Sequence, residues 1–597
     1  MSGEVNWKPS PAVRVLAGLC LVLLWGAFLP VYGRSGADAA AGRDRTDVTP
    51  GSAEGEPVVE LRIELRGTEG QVVEDEGLRQ RVGERFGLTA GELFRPMQAE
   101  TGLGRVRALP DVSSAEFQLF RSERVGGLVA ELQVTLLPEG VERPKTAAGL
   151  LHSGELGDLP VLHQSDRALL KLIFNGGVGA YGVSNPFFGK SDVFLAGSPI
   201  AKDPPRDGSA WWEWYVEPGI GGITQVGTLP LYVYGAATYL YAQSQGQDIY
   251  NSYSRGRGGI EKAYAGFLYD LPGKGSVLDV SAGRQNYQLR QGFLISKIPG
   301  STNIGRLGGL QLGPRLAFEK TVVARAKLGR FMAEGIFLEP TEYEEIPNSN
   351  TRVAGGTLQY DLAAKADIGF TYLETVNSDG AYLMPDGSRL SPEGVRTYNG
   401  SLWARSLLGV DGLWLKSEYA YQDHRDYPMA ARAGYGWIGY DSGRLPWRPS
   451  LGYRYAAFTG DDPDTARMER FDPLFSGGQQ NFVPGMIMNA VTKNANLITH
   501  RVRASVKPVA SLEIVLDYFR FRADELNNYG AISRTLWELQ SKRLADEVDL
   551  SAFWSVSNNF YLQMLAAVAI PDDGIELALG GDLENWYTLQ AALYFFF

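Results

Sequence analysis

Seven basic side chains carry the chemistry that this sequence can be expected to perform: Lys262, Arg405, Lys416, Arg454, Arg501, Arg503 and Lys507. All lie in segments where apolar and polar residues alternate. The run 498–508 is the clearest. Val502, Ala504 and Val506 share one face, and Arg501, Arg503, Ser505 and Lys507 share the other, because successive side chains of a strand point to opposite sides. In 448–458, Leu451, Tyr453 and Tyr455 oppose Ser450, Gly452 and Arg454. In 411–423, Leu413, Leu415, Tyr419 and Tyr421 oppose Lys416, Glu418 and Gln422. In 397–406, Leu402 and Ala404 oppose Asn399, Ser401 and Arg405, and Lys262 lies on the polar face of 259–271. Cationic groups that line a narrow aqueous space concentrate anions, and arginine offers carboxylates a planar, bidentate partner. On the strands whose faces can be assigned, these bases share the polar side with four acids, Asp279, Asp367, Glu418 and Asp549. The competing expectation is that bases and acids pair and only brace the structure.

Bond-making chemistry is not expected. There is no nucleophile elbow, phosphate-binding loop or set of spaced metal ligands. His500 stands beside Thr499, a pair that arises easily by chance. The four His are isolated from one another and the only Cys is Cys20, so no metal site, disulfide or cofactor is expected and the chain does not read as an enzyme. A formal net charge of -11 argues against nucleic acid as a partner.

The elements that must position these side chains are strands. From Ala168 onward, alternating segments of about ten residues recur between turns, which is the pattern of a transmembrane β-barrel. They begin at 168–183, 210–221, 229–243, 259–271 and 276–287. Two more fall between Leu310 and Leu338. The rest are 353–361, 366–376, 397–406, 411–423, 430–440, 448–458, 498–508, 511–522, 547–555, 559–569 and 589–597. That makes about 18 strands. Short turns such as Pro272–Gly275, Ala363–Ala364, Gly409–Val410, Pro508–Ala510 and Ser557–Asn558 alternate with long polar loops at 288–309, 339–352, 377–396, 459–497, 523–546 and 570–588. An outer-membrane barrel has such a short-turned periplasmic end and a long-looped external end. The last strand places Leu589, Ala591, Leu593, Phe595 and Phe597 on one face, as a closing stave with an aromatic girdle would. Strand 511–522 resists assignment: Arg520 and Arg522 share a face with Leu516, and Asp517 shares one with Phe519 and Phe521. A bulge or an extension beyond the membrane would account for it.

Ahead of the barrel, Lys8 and Arg14 precede an apolar run from Val15 to Leu29 and then small residues, the pattern of a cleaved secretory signal over 1–33. Residues 34–57 read as a flexible leader. Val59, Leu61, Ile63 and Leu65 alternate on a strand. Leu78, Val82 and Phe86 mark a helix over 75–86, and a second helix is expected over 95–109. Strands 115–121 and 128–137 follow, around Val125–Gly127.

This order of strand, helix, helix, strand, strand over 58–138, with the Ala108–Val112 stretch after the second helix, resembles a POTRA domain, the periplasmic module that precedes several outer-membrane barrels. A linker, 139–165, joins it to a barrel over 166–597. Three stretches of the barrel are similar to the alginate export family: Ala282-Gly283-Arg284-Gln285; Glu418-Tyr419-Ala420-Tyr421-Gln422; and Gly452-Tyr453-Arg454-Tyr455, followed by Thr459-Gly460-Asp461-Asp462 and Phe471-Asp472-Pro473-Leu474-Phe475. That resemblance implies an 18-stranded channel in the bacterial outer membrane, bounded by lipid and lipopolysaccharide, which passes an anionic polysaccharide outward. The simplest members begin almost directly with the barrel, so the extra domain implies docking of a periplasmic protein partner. Two alternatives stay open. A POTRA-barrel protein translocase or assembly factor would carry an arginine-glycine-aromatic motif, and here the nearest match, Arg290-Gln291-Gly292-Phe293, has an inserted Gln. A structural platform for an envelope-spanning machine would have a plugged pore.

Overall fold

The computed structural model describes residues 45–596 apart from 138–160, 297–307, 343–348, 477–481 and shorter stretches of up to four residues. The signal segment 1–33, most of the leader and linker, the turns at 123–126, 272–275, 363–365 and 557–558, residues 108 and 110, and Phe597 lie outside the described residues.

The N-terminal unit is a small α+β domain. Strands β1 (Arg45–Asp47), β2 (Val58–Arg66), β3 (Val112–Ser122) and β4 (Gly127–Leu136) form one sheet in the order β1-β3-β4-β2, with β2 parallel to β4. Helices Glu76–Phe86 and Pro96–Arg107 cover it. The first helix starts where Asp75 accepts a hydrogen bond from the Leu78 amide at 2.9 Å. It buries Leu78, Val82 and Phe86, the three residues whose spacing marked it. Strand β1 was not expected, because it lies in the polar stretch taken as a leader. Its pairing with β3 supplies order that apolar periodicity does not reveal.

The remaining chain closes into an antiparallel barrel of 18 staves. These are β6 (Ala168–Ser184), β7 (Gly208–Gln225), β8 (Leu231–Gly246), β9 (Arg255–Asp270), β10 (Val277–Asn286), β11 (Ala317–Leu328), β12 (Phe331–Glu339), β13 (Arg352–Asp361) and β14 (Ala366–Asn377). They continue, after the small loop hairpin β15 (Tyr382–Leu383) and β16 (Arg389–Leu390), with β17 (Val395–Ala404), β18 (Leu413–His424), β19 (Ala431–Asp441), β20 (Ser450–Phe458) and β21 (Leu497–Val509). The last are β22 (Leu512–Arg522), β23 (Arg543–Ser555), β24 (Phe560–Pro571) and β25 (Trp586–Phe596). Closure is made by β25 on β6, from Tyr587 opposite Ser184 to Phe596 opposite Asn175. A short strand, β5 (Val161–Gln164), in the stretch taken as linker, pairs with β6 beyond that point.

Leu358, Ile260, Leu451, Phe370, Leu516 and Leu550 are exposed on the outer wall. So much outward apolar surface on a closed barrel is what lipid contact requires. Short turns alternate with longer loops except at the β18–β19 connection, residues 425–430, which is shorter than the connections on either side of it, and the N-terminal domain sits at the short-turned end.

Candidate functional site

A chamber of about 1920 Å³ occupies the barrel. Among the seven expected cations, Lys262, Arg405, Arg501, Arg503 and Lys507 line it. Lys416 and Arg454 point inward but are covered. The Lys416 ammonium lies over the rings of Trp403, Trp414 and Trp437 at 5.3, 5.5 and 5.6 Å. The Arg454 guanidinium lies over Trp437 at 5.8 Å and Phe482 at 5.0 Å.

The expected excess of bases over acids is much smaller in the folded wall, where acids line the chamber almost as often as bases. Lys262 meets Glu217 at 3.0 Å. Arg290 pairs with Asp367 and Arg325 with Glu334. Asp517 holds both Arg501, at 2.7 Å, and Arg503, at 2.8 Å. Glu217, Glu261 and Asp517 escaped the alternation for a local reason in each case. Glu217 precedes Pro218, where the β7–β8 ladder is interrupted between Val216 and Gly219. Glu261 has no partner in the β8–β9 register, so it and the next residue, Lys262, both face inward. Asp517 sits on the stave whose faces could not be assigned.

That stave is regular around Asp517. Asp517, Phe519 and Phe521 point inward, and Leu516, Tyr518, Arg520 and Arg522 point outward. The phenylalanines can face inward because the long-looped half of the lumen is filled by protein. Phe293, in the loop after β10, packs with its ring centroid 5.3 Å from Tyr435, 5.4 Å from Phe482 and 5.8 Å from Phe458. Loop 459–497 enters the barrel. Its Phe475 amide donates to the Leu294 carbonyl at 3.1 Å, and the Ser296 amide donates back to Phe475 at 2.9 Å. Wall carboxylates hold these insertions by their backbone. Glu547 accepts from the amides of Met486, Ile487 (2.9 Å) and Met488 (2.8 Å). Glu213 accepts from Gln311 and Leu312 at 2.9 and 3.0 Å.

The other end is covered by the N-terminal domain. Its Arg105 forms a buried ion pair with Asp270 of β9 at 2.9 Å, and Glu92 pairs with Lys327 of β11. The Gly91 carbonyl accepts from Arg405, just past β17, at 2.6 Å, and Arg121 reaches the Ser555 hydroxyl of β23 at 3.2 Å. Staves β9, β17 and β23 stand about one third of the ring apart. A body that touches all three spans the opening, and Gly87, Gly91, Glu92, Arg105 and Arg121 accordingly line the chamber. Burial pulls the Arg105 guanidinium below its ordinary value, and Asp270 opposes that pull.

Residues 252–578 match the sequence profile of a family described as alginate export. A search of the curated proteins finds no match to this chain. Solved structures similar to it include three proteins of Pseudomonas aeruginosa. OccK5 (OpdH) is 11% identical, with a TM-score of 0.41 over 71% of this chain and 98% of that one. OccK7 (OpdD) is 12% identical, with a TM-score of 0.42 over 72% and 98%. OpdK with vanillate is 11% identical, with a TM-score of 0.41 over 71% and 98%. These superpositions are loose, and the family assignment rests on the sequence match.

Proposed function

This chain belongs to the alginate export family, an outer-membrane transport barrel rather than an enzyme, and we propose that it passes an anionic polysaccharide outward from the periplasm. The observation that carries the polymer's charge is the cluster on β21: Arg501, Arg503 and Lys507 all line the chamber, and a single acid, Asp517, answers both arginines. Among the described residues Lys507 has no ion-pair partner. Arg405, just past β17 and four staves along the wall, adds a further cation beside the mouth. The POTRA-like domain, at the short-turned end, docks the periplasmic partner that delivers the polymer.

The test must spare Arg501. Neutralising both arginines would strand Asp517 in the wall, and breaking a buried pair by removing its partner costs about 3–5 kcal/mol. The double substitution Arg503→Gln and Lys507→Gln removes two positive charges and keeps the Arg501–Asp517 pair. Reversal potentials in a salt gradient should shift toward cations, more at low salt than at high salt because screening weakens the effect. Export of a polyuronate-like polymer should fall. An unaltered ion preference would assign these cations to bracing the wall.

A further inference from the structure

One part of the chamber departs from the polar lining that a barrel lumen ordinarily has. Phe553 of β23, Tyr561 of β24, and Tyr594 and Phe596 of β25 all line it, and all four are only half-buried. They form a continuous series. Phe553 and Tyr561 lie 6.5 Å apart with planes 12° apart, Tyr561 and Tyr594 lie 6.2 Å apart, and Tyr594 and Phe596 lie 6.5 Å apart and nearly parallel at 4°. The series continues across the closure. Tyr561 is opposite Tyr594, Tyr594 opposite Gly177, and Gly177 opposite Tyr215, which also lines the chamber. Gly177 leaves room for this, since a Cβ there would stand 2.7 Å from the Tyr215 ring. Polar side chains that can meet hydroxyl groups flank the rings: Gln563, Gln590, Ser551 and Asn175. The series begins at the mouth, beside Ser555, where Arg121 of the N-terminal domain is bound.

Half-exposed rings in an aqueous lumen forgo much of the stabilisation that full burial would give them. A ring face set among a few hydrogen-bonding groups is suited to a flat ligand with an apolar face and a polar rim. A pyranose ring has both, in its C–H face and its equatorial hydroxyls. We infer that Phe553, Tyr561, Tyr594 and Phe596 form a track on which successive sugar rings of the exported polymer stack, an inference that rests on the polysaccharide reading above. The track recognises the sugar ring irrespective of charge, and the β21 cations supply charge preference from elsewhere in the chamber.

The experiment is calorimetric binding to the full-length chain in detergent, with a hexauronate and a neutral β-linked hexaglucose as probes. Tyr561→Ala with Tyr594→Ala should weaken both probes at least tenfold, and Tyr561→Phe with Tyr594→Phe should stay within about twofold of the unaltered protein. Folding of each variant is checked by heat-modifiable gel mobility. If the alanine pair does not fold, Phe553→Ala, on a different stave, should still weaken both probes. Unchanged affinity for both probes in a folded alanine variant, with hexauronate lost only in Arg503→Gln/Lys507→Gln, would overturn the track and leave the export reading standing. Loss of both probes in the alanine pair, with hexauronate unaffected by the charge variant, would support the track and count against the anionic polymer. Failure of the unaltered protein to bind either probe would overturn both.

Discussion

Glu547→Ala is expected to raise single-channel conductance severalfold. The Glu547 carboxylate is fully buried and accepts three consecutive amides of the inserted loop, those of Met486, Ile487 and Met488. Alanine leaves those donors facing a gap. An unsatisfied buried donor costs about 1–3 kcal/mol, so three together take several kcal/mol from the docking of this segment. The loop can recover its hydrogen bonds by moving into water. Its departure uncovers the rings of Phe293 and Tyr435, which it packs against, and widens the passage. Planar-bilayer recordings measure the outcome, and heat-modifiable mobility confirms that the barrel has formed. Glu547→Gln keeps one acceptor oxygen and should give an intermediate conductance. A folded alanine variant with unaltered conductance would mean that this loop segment does not limit flow.

Deletion of residues 58–138 behind an intact signal segment should open the opposite end. The domain has its own core of Leu78, Val82, Phe86, Phe94, Leu103, Leu132 and Val134, distinct from the cluster inside the barrel. Its contacts with the barrel include the Arg105–Asp270 and Glu92–Lys327 pairs and the bonds to Arg405 and Ser555, all of them polar. Such an interface suits a body that can move. The shortened barrel should still insert and show heat-modifiable mobility. Its conductance should rise, because the body spanning the mouth is gone, while polymer export in cells should fall for want of the docking domain. A truncated chain that fails to fold would make the two parts one structural unit. One that folds but conducts as the full chain does would show that the domain does not limit the passage.

The sequence alone determined the barrel. Lipid on one side and water on the other force a period of two, so 16 staves could be located from alternation and turns and two more placed only within the stretch from Leu310 to Leu338, giving a count of about 18. It also set which way Arg501, Arg503 and Lys507 point, because a shift of one residue would place them in lipid at a cost of about 2–4 kcal/mol each. Only the tertiary structure decided what those side chains meet. Asp517 was unreadable on its own stave because Phe519 and Phe521 beside it face a lumen filled by loops, which breaks the rule that inward means polar. Glu261 faces inward because a bulge, invisible in the residue pattern, turns two neighbours the same way. Lys416 is lost to the chamber among three indoles that come from three different staves. Periodicity reports how each strand divides water from lipid. Charge pairing, loop insertion and the seating of the N-terminal domain depend on residues far apart in the chain, and only closure of the ring brings those residues together.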